Sequence, residues 1–244
     1  MKLLVSVVDV DEARAAATAG AEIVDVKNPA EGSLGAPSPS VIAGVRSAVP
    51  TELPVSAAIG DMPNLPGTAA LAALGAARSG AMFVKVGLWG VSTEDVAVAL
   101  LRAVRDGLAD VPGAMLVAAA YADGQRAAHP PLAPELLPRV ARAAGVGVCL
   151  IDTAFKDGRG LLDWLSPDAL ASLVADAHAA DLQVALAGAL RADDLPVVRD
   201  TKADIAGVRS AACRDGRRSG RLDAARVRAL RAACAATPPP RASR

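Results

Sequence analysis

The sequence predicts an α/β fold in a single domain, a (β/α)8 TIM-like barrel. Three observations predict it. The chain has 244 residues, close to the ~250 of such a barrel. Short β-like runs alternate with Ala-rich helical stretches along its length. A helix–Gly–strand joint recurs, as "TAGAEIV", "RSGAMFV" and "AAGVGVC" around Gly20, Gly80 and Gly145, where glycine ends one unit and the next strand begins. Composition agrees. The chain is 52% apolar but only 2% aromatic, so its core is built from Ala, Val, Leu and Ile.

The elements follow in order. "KLLVSVV" (2–8) is the first strand and 11–19 its helix; "EIVDVK" (22–27) is the second, with 38–48. "LPVSAAIG" (53–60) precedes a helix over 67–79, and "MFVKVG" (82–87) one over 93–109. "GAMLVAAAY" (113–121) and "VGVCLID" (146–152) lead into 134–144 and 167–180. "LQVALAG" (182–188) and "ADIAGVR" (203–209) lead into 193–200 and 223–235. Start signals stand where helices should begin: Ser166 before Pro167, Ser38 before Pro39, and Thr93 before Glu94 and Asp95, each an N-cap residue ahead of a proline or acidic first turn. The rival is an open doubly wound sheet, which calls for a Gly-rich phosphate loop after strand one. Here that strand runs into "VVDVDEAR". No linker divides the chain, so the barrel is expected over 1–236, with "TPPPRASR" (237–244) as a frayed tail.

Formal net charge is zero, so no global field attracts nucleic acid or an anionic membrane. The locally basic runs "RDGRRSGR" and "RVRALRAAC" read as solvated faces. Cys149, Cys213 and Cys234 are too scattered for a disulfide framework or a zinc site, and suit a reducing cytoplasm. No signal peptide is expected in "MKLLVSVVDVD", and no apolar run reaches the ~18 residues of a membrane span. His129 and His178 have no partner at metal-ligand spacing, so no metal is expected. Apolar helices point to a homo-oligomer.

Positive charge is distributed unevenly by type. The chain has 21 Arg and only 5 Lys: Lys2, Lys27, Lys85, Lys156 and Lys202. Lys27, Lys85 and Lys156 fall at the C-terminal ends of expected strands two, four and six, the face where barrel active sites sit. Alternate strands share a layer, so the three converge on one mouth. Arginine supplies fixed charge; lysine supplies an amine whose pKa drops when it is buried or crowded by cations, and which can then attack a carbonyl. Asp25 lies two residues before Lys27, on the same strand face. Asp152 opens "DTAFKDGRG", four residues before Lys156. These acids either orient the amines and move protons or form plain ion pairs at the mouth. Asp61 and Asp123 end strands three and five and are weaker candidates for substrate hydrogen bonding; turn formation before Gly124 is equally open to Asp123. Tyr121 is assigned to core or wall packing. After strands seven and eight, "LAGAL" and "IAGVRSAAC" stand where barrels frequently bind phosphate. Gly188 and Gly207 allow close backbone approach, and Arg209 can add a bidentate contact.

The segments "DVKNPAEGSLGA", "VSAAIGD", "KVGLWGV", "AAAYAD", "LIDTAFKDGRGLLDW", "ALAGAL" and "DIAGVRSAAC" together resemble the (5-formylfuran-3-yl)methyl phosphate synthases, over about residues 3–235. The resemblance implies a TIM-like barrel lyase that condenses two molecules of glyceraldehyde 3-phosphate, with loss of phosphate and water, in methanofuran-type cofactor or related furan biosynthesis. It implies a Schiff-base lysine at Lys27, a proton-transfer lysine at Lys85, further active-site positions at Asp25, Asp152 and Lys156, and no metal, flavin or nicotinamide. Two rivals stay open on residues alone: another Schiff-base barrel acting on a sugar phosphate, and a non-catalytic barrel that binds a phosphorylated ligand.

Overall fold

Eight parallel strands close into a barrel in the order β1-β2-β3-β4-β5-β6-β7-β8. The structure is a computed structural model and describes residues 1–63 and 65–235; the expected tail 237–244 lies outside them. The strands are β1 (Lys2–Val7), β2 (Ile23–Val26), β3 (Val55–Asp61), β4 (Phe83–Gly87), β5 (Met115–Tyr121), β6 (Val148–Asp152), β7 (Gln183–Leu186) and β8 (Ile205–Val208). Each is followed by a helix: α1 (Val10–Thr18), α2 (Pro39–Ala48), α3 (Pro66–Arg78), α4 (Glu94–Gly107), α5 (Leu137–Ala144), α6 (Pro167–His178), α7 (Leu195–Asp200) and α8 (Ala224–Ala235). Every expected strand and helix is present, most with frayed ends trimmed. The expected helices over 134–144 and 193–200 each begin instead with a 3-10 turn, at Pro134–Leu136 and Ala192–Asp194.

Local signals explain the element boundaries. Ser166 caps α6 by accepting from Ala169 N at 3.2 Å, and Asp9 caps α1 by accepting from Glu12 N at 2.9 Å. Ser38 and Thr93 stand at the N-caps of α2 and α4 without a side-chain cap bond. Gly145 ends α5 with φ of 71°, the left-handed conformation that glycine adopts freely.

The core lies in two layers. The larger joins the outward faces of the strands to the inner stripes of the helices. Helix α4 shows the pattern, burying Ala97, Leu100, Leu101 and Val104 at helical spacing. The smaller fills the barrel interior with Ile23, Phe83, Val117, Val148, Leu150, Ala185 and Ile205. Alternation along each strand then places the next inward residues above that apolar floor: Ser6 on β1, Asp25 on β2, Lys85 on β4 and Asp152 on β6. Among the described residues, no helix is long and apolar enough to cross a membrane, and no group of three or more His, Cys, Asp or Glu is placed to hold a metal ion. All three cysteines are buried free thiols.

Candidate active site

A pocket opens at the C-terminal mouth and reaches down to the apolar floor. Lys27, Lys85, Asp25, Asp152, Lys156, Gly188, Gly207 and Arg209 all line it. The barrel therefore brings these eight sequence-expected residues into a single cavity, while the weaker candidates Asp61 and Asp123 do not line it.

Their pairing differs from the simplest sequence expectation. Asp25 does not pair with Lys27, two residues further along the chain. Its Oδ1 meets Lys85 Nζ at 2.5 Å, while Oδ2 accepts from Ser6 Oγ at 2.8 Å. Asp25 and Lys85 are 0% and 4% exposed. Inward side chains of alternate strands meet at one height in a tilted barrel, and that brings β4's lysine to β2's carboxylate. Lys27 stands one residue beyond β2, with its backbone N–H donating to Val7 O at 3.1 Å. It makes none of the ion pairs found among the described residues, and its side chain is half-buried at the pocket wall.

That setting changes Lys27. Burial lowers its pKa from 10.5 to about 8; Lys85 and Lys156 push the same way, against the pull of Asp152 and Asp25. Desolvation disfavours the ammonium, and neighbouring cations add to it. Asp152 has the opposite balance. Burial alone would raise it, but Lys156, Lys27, the Thr153 N–H and Lys85 hold it below the ordinary carboxylate range.

Lys156 is carried by the loop after β6 and not by a strand end. It folds back, donating from Nζ to Thr153 O at 2.5 Å, Thr153 Oγ1 at 3.2 Å and Asp152 Oδ1 at 3.3 Å. Asp123 holds that loop: its two oxygens accept from Ala154 N at 2.7 Å and Phe155 N at 2.8 Å. Asp123 stands in the expected turn, at the N-cap of the 3-10 turn Gly124–Arg126 with its carbonyl accepting from Arg126 N at 3.1 Å, while its side chain pins a neighbouring loop. Asp61 accepts from Tyr121 Oη at 2.7 Å and Trp89 N at 3.0 Å, so Tyr121 packs in the wall and also ties two strand ends. Gly87 is required there, because a Cβ would fall 1.9 Å from Asp61 Oδ1.

The loops after β7 and β8 supply the other side. Gly188 has φ of 108° and Ala189 φ of 49°, consecutive left-handed residues that turn the chain along the pocket. Arg209 is not free to fork onto an anion. Its Nε donates to Arg218 O, Nη1 to Ser6 O and Glu12 Oε2, and Nη2 to Glu12 Oε1 and Gly220 O. All five N–H groups of the guanidinium are thereby engaged, and the bidentate contact expected for phosphate is taken by Glu12. The guanidinium that lines the pocket with bonding capacity to spare is Arg218, which donates to Gly32 O at 3.0 Å. Burial lowers its pKa, with Arg209 adding to that and Asp152 opposing it. Arg218 belongs to "RDGRRSGR", the run read from sequence as a solvated face; here it folds over the mouth.

The loop 28–36 bridges its neighbours. Ser33 Oγ donates to Thr153 O at 2.8 Å, Gly32 O accepts from Arg218, and Asn28 Oδ1 accepts from Ala30 N at 3.1 Å to cap a 3-10 turn at Pro29–Glu31. The site residues that sequence reasoning passed over are Ser6, Ser56, Glu12 and Arg218. Ser6 and Ser56 did carry a signal, as polar residues at inward positions of otherwise apolar strands.

Comparison with known proteins agrees with this geometry. A family model described as 4-HFC-P synthase matches residues 3–231. The chain is 46% identical over 236 residues to the (5-formylfuran-3-yl)methyl phosphate synthase of Methanocaldococcus jannaschii, covering 96% of this chain and 100% of that protein. It is 48% identical over 219 residues to the protein of the same name from Methanopyrus kandleri, covering 89% and 92%. Among solved structures, a 3-hexulose-6-phosphate synthase superposes with a TM-score of 0.62 at 21% identity, over 96% of this chain and 100% of that one, a likeness of fold. With nearly its whole length matched, the chain belongs to the (5-formylfuran-3-yl)methyl phosphate synthase family.

Proposed function

We propose that the protein condenses two molecules of glyceraldehyde 3-phosphate into 4-(hydroxymethyl)-2-furancarboxaldehyde phosphate through a Schiff base on Lys27, acting as a carbon–oxygen lyase. The observation that carries this reading is an amine with a pKa of about 8 at the wall of a pocket that also holds the buried Asp25–Lys85 pair. At neutral pH a useful fraction of such an amine is unprotonated and nucleophilic.

Lys27 Nζ attacks the aldehyde carbon of one triose phosphate, and water leaves to form the iminium. The iminium draws electrons from C2, whose proton passes to the Asp25–Lys85 pair. The resulting enamine expels the C3 phosphate, with Asp152 and Lys156 exchanging protons at that side of the pocket, and leaves an enol iminium whose C3 is nucleophilic. The second triose phosphate shifts its carbonyl from C1 to C2 by proton transfer through the same pair. C3 of the enol attacks that C2 carbonyl, and Lys85 protonates the new alkoxide. The C1 hydroxyl of the second unit closes onto the C2 carbonyl of the first, loss of two waters aromatises the furan, and hydrolysis of the iminium frees Lys27 and leaves the aldehyde. One phosphate and two waters leave in all, and no oxidant or reductant is called for. Gly188 and Gly207 give the retained phosphate close backbone approach, Arg218 supplies its cation, and Arg209 holds the Arg218 loop in place. The product serves methanofuran-type cofactor or related furan biosynthesis.

The test is incubation with glyceraldehyde 3-phosphate, followed by a scan for furan absorbance and by borohydride trapping with mass mapping. A furan and an adduct on Lys27 are expected. No adduct, or one on another lysine, overturns the role of Lys27, and an adduct without furan indicates an aldolase.

A further inference from the structure

The register across β1, β2 and β3 sets Ser6 opposite Asp25, and Asp25 opposite Ser56. All three are buried, Ser56 to 1% exposure, and all three line the pocket. Their bonding is unequal. Ser6 donates to Asp25 Oδ2. Ser56 Oγ is buried without a hydrogen-bond partner, and so is Asp25 Oδ1, whose contact with Lys85 is ionic without hydrogen-bond alignment. Two neighbouring strands thus set an acceptor and a hydroxyl side by side in the wall of the same cavity, and neither answers the other.

Buried polar atoms are almost always satisfied, and an unmet one is destabilising. An alanine at position 56 would fill nearly the same space without that cost. A serine on the cavity wall therefore points to a ligand that completes it. The complementary group is a hydroxyl, which can donate to Asp25 Oδ1 and accept from Ser56 Oγ.

We propose that Ser56 is a substrate-binding residue that, with Asp25, receives the C2 hydroxyl of the triose phosphate and selects 2-hydroxyaldehyde phosphates over analogues without that group. This rests on the proposed substrate class. A site built to hydrogen-bond a substrate hydroxyl rejects the analogue lacking it, because its own polar groups are then left unpaired.

Calorimetric titration tests it, with glyceraldehyde 3-phosphate and with 3-oxopropyl phosphate, its 2-deoxy analogue, against the unaltered protein and Ser56→Ala. The unaltered protein should bind the hydroxylated ligand about tenfold more tightly, and Ser56→Ala should lose that preference by weakening on the hydroxylated ligand alone. The Tm of Ser56→Ala should stay level or rise, since an unmet buried hydroxyl has been removed. Equal weakening toward both ligands, an unchanged preference, or a fall in Tm with the preference intact assigns Ser56 a structural role and overturns the proposal. Binding of neither ligand by the unaltered protein overturns both this proposal and the substrate class. A preference lost in Ser56→Ala, with no borohydride adduct on Lys27, leaves the hydroxyl site standing and removes the Schiff base.

Discussion

At Lys27, burial and charge act on an amine that must lose a proton to react. With its pKa lowered to about 8, borohydride trapping at fixed aldehyde should rise tenfold per pH unit below that value and level off above it. Lys27→Arg keeps the charge and should abolish trapping, with furan formation falling by at least about a thousandfold. The same shift affects stability. Between about 8 and 10.5 the unfolded chain binds more protons at this site than the native one, so the contribution of Lys27 to stability grows as pH rises through that window. Asp25 is the second sensitive residue. Asp25→Asn leaves the Lys85 ammonium buried without its counter-charge, which should cost about 3–5 kcal/mol in urea unfolding. Adding Lys85→Met should recover much of that loss, because no buried charge then remains. Ser6, whose bond to Asp25 Oδ2 fixes the carboxylate, is legible in "KLLVSVV" only as a polar residue at an inward position; its partner is nineteen residues away.

At the scale of elements, the strands set the bottom of the site and the loops close its top. The loop after β6 is held from another strand end by Asp123, and Trp89 packs edge-on against Phe155 at 5.6 Å. Asp123→Asn weakens two charge-assisted bonds. The Ala154 and Phe155 amides should then exchange with solvent at least about tenfold faster, while β6 amides stay protected. The loop after β8 is tied to α1 by Arg209 and Glu12, 6% and 3% exposed at their side chains. Arg209→Lys cannot reproduce five fixed donors and should lower stability by about 2–4 kcal/mol in denaturant unfolding. Strand and helix positions were legible because alternation, proline and glycine act within a few residues. The strut of Arg209 was not, because Glu12 is 197 positions away and nothing local distinguishes an arginine aimed at phosphate from one that holds a loop.

At the scale of the molecule, closure of β8 onto β1, with Lys2 opposite Ile205, leaves no open edge in the described sheet and joins its first and last strands into one closed unit. Its thiols report on that unit. Burial pushes Cys149 up to about 12 and Cys234 up to about 11, so neither offers thiolate to a reagent in the native state. Labelling of both by a thiol-specific disulfide reagent should be very slow in native buffer. It should accelerate together along the global urea transition, as read by mass per site. Early labelling of Cys149 alone would show β6 opening separately from the barrel.

The sequence by itself determined the barrel, the order of its elements, and the lysines and acids that reach the mouth. Those follow from period, capping and residue type, which are local physics. Only the tertiary structure decided which charges pair. Asp25 meets Lys85 across the barrel and not Lys27 just beyond its own strand, because strand tilt sets the height at which inward side chains meet. Tertiary structure also decided that Arg209 holds a loop while Arg218, from a run that reads as solvated surface, faces the pocket. Both outcomes depend on where distant segments come to rest, and the pattern of neighbouring residues carries no trace of that.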